Sequence, residues 1–275
     1  MAKLMRARLS RLLRSKSLWA GVLFMFFTGI CLTVSAYIED SGSDIYLPSE
    51  RLLFVFTALV PFALAVFSSL FIGTEHYNGG FKRKLSVGSK RVWVYLSNFI
   101  SCALAGVALC LSYAVPYLIC SAILFDGFIL SIKAIALLTV TSFLNILAFT
   151  AVVVFISMLV NSRSASAVIC LLLAIVLILV GFEINELVKS TIFGHYELDL
   201  VTNELLFIED PGNYDLTDIE LAVYDFLNNF LPGGQVAQLT EVNVRHPLIL
   251  ILWSAVIITF STTGGLLVFK RKDIK

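Results

Sequence analysis

The chain has 275 residues, of which 59% are hydrophobic and only 14% charged, and its mean hydropathy is +0.92. A soluble domain carries about 25% charged residues, and the apolar residues here gather into runs of about 20 instead of amphipathic stripes, which excludes a soluble globular fold. The net charge of +1 hides a strong segregation along the chain and gives no footprint for nucleic acid.

Residues 3–17, KLMRARLSRLLRSKS, are predicted to form a basic helix lying at the membrane surface. Leu4, Met5, Leu9, Leu12 and Leu13 spread over about half of its circumference, while Arg8 and Lys16 interrupt that face. Arg6, Arg11 and Arg14 are expected to meet anionic lipid headgroups or a partner protein. The first apolar run, 18–37, ends near Val34-Ser35-Ala36, which looks like a signal-peptide cleavage site. Its apolar region is 20 residues long, beyond the roughly 7–15 of a signal peptide, so a retained span is expected. A second span follows at 52–73 with Pro61 inside it.

Residues 74–91, TEHYNGGFKRKLSVGSKR, then interrupt the apolar chain with five basic residues, one glutamate and a Gly-Gly pair. The third span is predicted at 96–120, inside a longer apolar stretch that contains Pro116 and opens on Trp93 and Tyr95, residues suited to the headgroup level. The fourth and fifth spans are predicted at 134–160 and 165–182, and the sixth at 248–269.

Between the last two spans, 183–247 is 65 residues long and holds 12 acidic residues, too long for a simple connection. Thr217 and Glu220 have the capping-box spacing that opens a helix. Ile219, Val223, Phe226, Leu227 and Phe230 continue it at helical spacing, and Pro232-Gly233-Gly234 is expected to end it. A short helix at 183–189 would extend the fifth span, and Thr202-Asn203 between two apolar stretches suggests a hairpin. The segment reads as a small extracytoplasmic cap.

Orientation follows from lysine and arginine near the span ends. Segments 1–17, 74–91, 161–165 and 270–275 fall on one side of a six-span chain and carry 16 of its 20 basic residues, so both termini are expected in the cytoplasm. Of the 19 acidic residues, 17 fall on the other side, the exceptions being Glu75 and Asp273. The five cysteines lie inside apolar runs with no C-x-x-C pair, which indicates neither a metal site nor a disulfide framework. The chain has no G-x-x-x-x-G-K-[ST], no H-E-x-x-H and no G-x-S-x-G, and no span clusters ionisable residues. No catalytic or metal-binding role is therefore expected of it.

The order of these elements resembles the permease subunits of ABC-2-type ATP-binding-cassette exporters over essentially the whole chain. The resemblance rests on the basic N-terminal helix, the inner loop FIGTEHYNGGFKRKLSVGSKRVWVYLSNFI, the segment FLPGGQVAQL and the ending VFKRKDIK. It implies an all-α polytopic membrane protein of the bacterial plasma membrane that pairs with a second permease copy or a homologous permease. Two separate ATPase subunits would bind ATP and Mg, with no cofactor on this chain. The loop after the second span would be the coupling element, and Glu75, His76, Tyr77, Lys82, Arg83 and Lys84 would touch the ATPase. Gly79 and Gly80 would let the chain turn there, since glycine tolerates positive φ.

Small six-span members of the family resemble exporters and immunity factors for antimicrobial peptides such as lantibiotics and bacitracin, which makes an amphipathic peptide the expected substrate. Exporters of drugs, lipids or polysaccharide share the same pattern. A different class of reading is a non-transporting membrane sensor or assembly protein that uses its acidic cap. A stiff loop at 74–91 is what separates a permease from such a sensor.

Overall fold

The computed structural model describes the chain apart from residues 1, 41–48, 87, 89, 126–129, 161, 194, 199–204, 209–216 and 272–275. A short amphipathic helix, α1 (Ala2–Leu13), turns at Arg14 and Ser15 into α2 (Lys16–Asp40). The Ser15 hydroxyl accepts from the Leu18 N–H at 3.2 Å, capping a free donor at the start of α2. Next come α3 (Ser49–Phe54), α4 (Phe56–Tyr77), α5 (Gly80–Ser86), α6 (Arg91–Leu124), α7 (Ile132–Leu159) and α8 (Arg163–Phe193). Two short strands, β1 (His195–Leu198) and β2 (Leu205–Ile208), precede α9 (Asp218–Phe230), α10 (Pro232–Thr240) and α11 (Pro247–Arg271).

Among the described residues, six helices are long and apolar enough to cross a membrane: α2, α4 joined to the end of α3, α6, α7, α8 and α11. They are longer than the predicted spans, because the apolar core of each continues into polar turns at its ends. Thus α6 begins at Arg91, and α8 runs unbroken to Phe193, absorbing the short helix expected at 183–189. The spanning part is wholly helical. Among the described residues there is also an antiparallel pair, β1–β2, with His195 opposite Ile208 and Leu198 opposite Leu205. The Thr202-Asn203 turn that suggests this hairpin lies outside the described residues.

Helices α4 and α7 form the centre, α4 packing on α6, α7 and α8, while α2 lies against α6 and α11 against α7. Apolar side chains such as Phe24, Phe27, Leu179 and Phe260 point outward, the pattern expected of surface that faces lipid. Hydroxyls inside the bundle are satisfied locally: Thr33, Ser69, Ser101 and Thr150 each donate to the carbonyl four residues earlier.

The segment between the fifth and sixth spans differs from a simple outer cap. The predicted capping box is present: Thr217 and Glu220 bond reciprocally, with the Glu220 carboxylate accepting from the Thr217 N–H at 2.9 Å. That bond lowers the Glu220 pKa, so it supports α9 above the ordinary glutamate range, and the support is lost as pH falls through the lowered value. Pro232-Gly233-Gly234 does end α9, but it also opens α10, with proline at the first position where a missing N–H is harmless.

Residues 232–239 are all buried, because α10 inserts among α4, α7 and α8. Gln235 anchors it. Its side-chain oxygen accepts from Asn145, midway along α7, at 2.9 Å and from Ser254 of α11 at 2.7 Å. Its amide donates to the Asn229 carbonyl at 2.9 Å. Gly233 lies against the backbone of α8 at Leu177, and Gly181 of α8 lies against Gly233 in return, so a methyl group at either position would enter main-chain atoms. The close approach that small residues allow in packed membrane helices is what admits α10.

Gly181→Ala or Gly233→Ala is therefore expected to destabilise the protein by about 3 kcal/mol through overpacking against backbone. Gly264→Ala, where no atom stands within 4 Å, should be neutral or slightly stabilising. Melting temperatures of the three variants in detergent check this.

Candidate functional site

The end of α4 and its return into α5 define the site. The helix stops after Tyr77, where Asn78 donates to the Thr74 carbonyl at 3.1 Å. Gly79 then takes φ +63, a left-handed conformation that costs an L-residue about 1–2 kcal/mol. Gly80 is needed for a different reason: a Cβ there would stand 2.8 Å from the Glu75 Cγ. The turn thus folds α5 directly over Glu75.

Glu75 is only 2% exposed. Its Oε1 accepts from Arg8 Nη2 of α1 at 3.1 Å and from Lys84 Nζ of α5, and its Oε2 accepts from Arg11 Nη1 at 3.3 Å. Arg11 also donates to the Phe71 carbonyl at 2.9 Å, with its guanidinium carbon 4.6 Å from the Phe71 ring centroid. Arg8 reaches further, donating to Asn98 Oδ1 on α6, and Asn98 donates in turn to the Val94 carbonyl at 3.2 Å. One carboxylate therefore joins α1, α4 and α5, and Arg8 extends the union to α6. Burial lowers the pKa of both Arg8 and Lys84, and in each case the Glu75 charge opposes that shift.

The predicted loop residues divide into two groups. Glu75 and Lys84 turn inward and pair with each other, and Glu75 pairs with Arg8 and Arg11 as well. Tyr77 is 85% exposed and Arg83 is also exposed, its Nη2 donating to the Asn78 carbonyl at 2.6 Å. His76 is half-buried. Lys82 lies in α5 with its side chain outside the described residues. Arg6 on α1 and Arg14 in the turn after it are exposed, whereas Arg11 is half-buried against α4.

Sequence reasoning missed Arg8 and Asn98. Arg8 reads as a flaw in an apolar face, yet it is buried at that position with Leu12 one turn on. The available signal was the scarcity of acid on the basic side: a cation on the inward stripe of α1 and Glu75 in the loop are natural partners. Among the described residues, no three His, Cys, Asp or Glu side chains gather to hold a metal.

Replacing Glu75 by Gln would leave Arg8 charged and buried without a counter-ion, a loss of about 3–5 kcal/mol. Gly79→Ala should cost about 1–2 kcal/mol. Thermal unfolding in detergent measures both. The family model described as ABC-2 family transporter protein matches residues 5–181, from α1 into α8, and this region contains the whole Glu75 assembly. No curated protein matches the chain. With six apolar helices and a family match over well more than half of its length, the protein belongs to the ABC-2 transporter family of multi-pass membrane proteins.

Proposed function

We propose that the chain is the permease subunit of an ATP-driven exporter, and that the face carrying Tyr77 and Arg83 docks on a separate ABC ATPase. The observation that carries this reading is a bare aromatic and a cation displayed on a turn that is locked from beneath by Glu75. Tyrosine and arginine are the residues that anchor protein interfaces, and a stiff support is what converts motion of a docked partner into rotation of the attached helices. The basic side faces the cytoplasm in this reading, as the lysine and arginine distribution favours. The functional unit has two such permeases, identical or homologous, and two ATPases that bind ATP and Mg.

The proposed substrate is an amphipathic cationic peptide of the antimicrobial kind. Its support is the concentration of 17 of the 19 acidic residues on the side opposite the docking face, a field that attracts cations. Bacterial plasma membrane is the location that fits this role.

Tyr77→Ala should weaken association with the ATPase by about 2 kcal/mol, or roughly thirtyfold, with no change in the melting temperature of the permease. Arg83→Glu should act in the same direction. Co-purification and substrate-stimulated ATP hydrolysis of the reconstituted complex measure the effect. Full coupling in both variants, or purification of the native complex without any ATPase, would overturn the proposal.

A further inference from the structure

We propose that the elbow between α1 and α2 is a binding site for the phosphate of an anionic phospholipid. A cavity of about 720 Å³ opens there, lined by Arg11, Arg14, Lys16 and Arg163, with the Ser15 hydroxyl beside them and no carboxylate. This volume lies within the roughly 300–1,000 Å³ of small-ligand sites. Arg11 is committed to Glu75 and to the Phe71 carbonyl. Arg14, Lys16 and Arg163 have no carboxylate partner among the described residues.

These cations come from α1, the turn after it, α2 and α8, and their mutual repulsion is relieved by an anion between them. A phosphodiester suits the set, since guanidinium groups bind its oxygens in pairs and an ammonium adds a point charge. Arg163 is held in place by packing on α4: a Cβ at Gly73 would stand 3.0 Å from both the Arg163 Cα and its Cγ.

The surroundings favour a lipid over free phosphate. The elbow is where a surface helix becomes a spanning helix, which sets the cavity at headgroup depth. Trp19 marks the same level, exposed to the exterior with its indole N–H donating to the Leu13 carbonyl at 2.8 Å. From Lys16 an exposed apolar stripe runs down α2 through Trp19, Leu23 and Phe27 at helical spacing. An acyl chain can follow that stripe while its phosphate stays in the cavity. The assignment does not depend on which way the chain is oriented or on any ATPase.

The test uses the full chain purified in neutral detergent and titrated with short-chain phosphatidylglycerol, short-chain phosphatidylcholine or inorganic phosphate. Native mass spectrometry reads occupancy and thermal unfolding reads protection. Phosphatidylglycerol should bind at least about tenfold more tightly than phosphatidylcholine. Each neutralised cation should cost about fivefold, and R14Q/K16Q/R163Q together on the order of a hundredfold. Arg163→Lys should retain most of the binding, and Arg51→Gln, at the opposite end of the bundle, all of it. The triple variant should unfold at the wild-type temperature without lipid, and the single variants decide the matter if it does not fold. Equal binding of phosphatidylcholine, or undiminished binding of phosphatidylglycerol by the variants, would overturn the site. Inorganic phosphate bound as tightly as the lipid would overturn its assignment to a phospholipid.

Discussion

Glu75 is held out of water between Arg8, Arg11 and Lys84, and the geometry of the basic end follows from keeping that charge paired. Burying a carboxylate or a guanidinium alone costs several kcal/mol, so neither Glu75 nor Arg8 is stable in place without the other. Its partners come from two other helices, Arg8 and Arg11 from α1 and Lys84 from α5, and the chain has to bring all of them together. Helix α1 is thereby docked on α4 and α6 instead of floating on a membrane surface. The turn at Gly79 and Gly80 exists in the form it does because α5 must pass close over the carboxylate.

A second polar assembly organises the other end of the bundle. Gln235 ties α10 to α7 and α11, and the contact of Gly181 with Gly233 lets α10 lie directly on α8. Helix α4 touches both assemblies. It carries Glu75 near one end and Thr57 near the other, where the Thr57 and Thr240 hydroxyls meet at 3.0 Å. These residues are 18 positions apart, about 27 Å along a helix. A tilt of α4 as a rigid body therefore moves both ends at once. In the proposed exporter, α4 is the shaft between the ATPase-docking face and the buried α10, and the proposed lipid site at the elbow lies beside the Glu75 end of α4.

The basic connection after the second span was legible as a special segment, and Tyr77, Gly79 and Arg83 occupy positions that suit a docking turn. The roles of Glu75 and Lys84 were not legible. A charged residue in a polar loop reads as solvated, and only the contact of Glu75 with α1, more than 60 positions earlier, shows that Glu75 points inward with Lys84 paired to it. Arg8 was misread for the mirror-image reason, since a cation on an apolar face looks like a defect until its counter-ion is in view. Pro232-Gly233-Gly234 carries a similar ambiguity: its composition marks a stop, and nothing local says that a buried helix starts there.

Membership of the membrane class, the six spans, the charge asymmetry and the α9 capping box were determined by the sequence alone. Each depends on hydrophobic length or on neighbours within one turn, and such interactions are written in consecutive residues. Tertiary structure alone decided which charges are buried, that α10 inserts among the spans, and that cations from α1, the turn after it, α2 and α8 surround one cavity. Those outcomes depend on electrostatic pairing and close packing between segments far apart in the chain. Their energies exist only when the helices meet, so no local pattern records them.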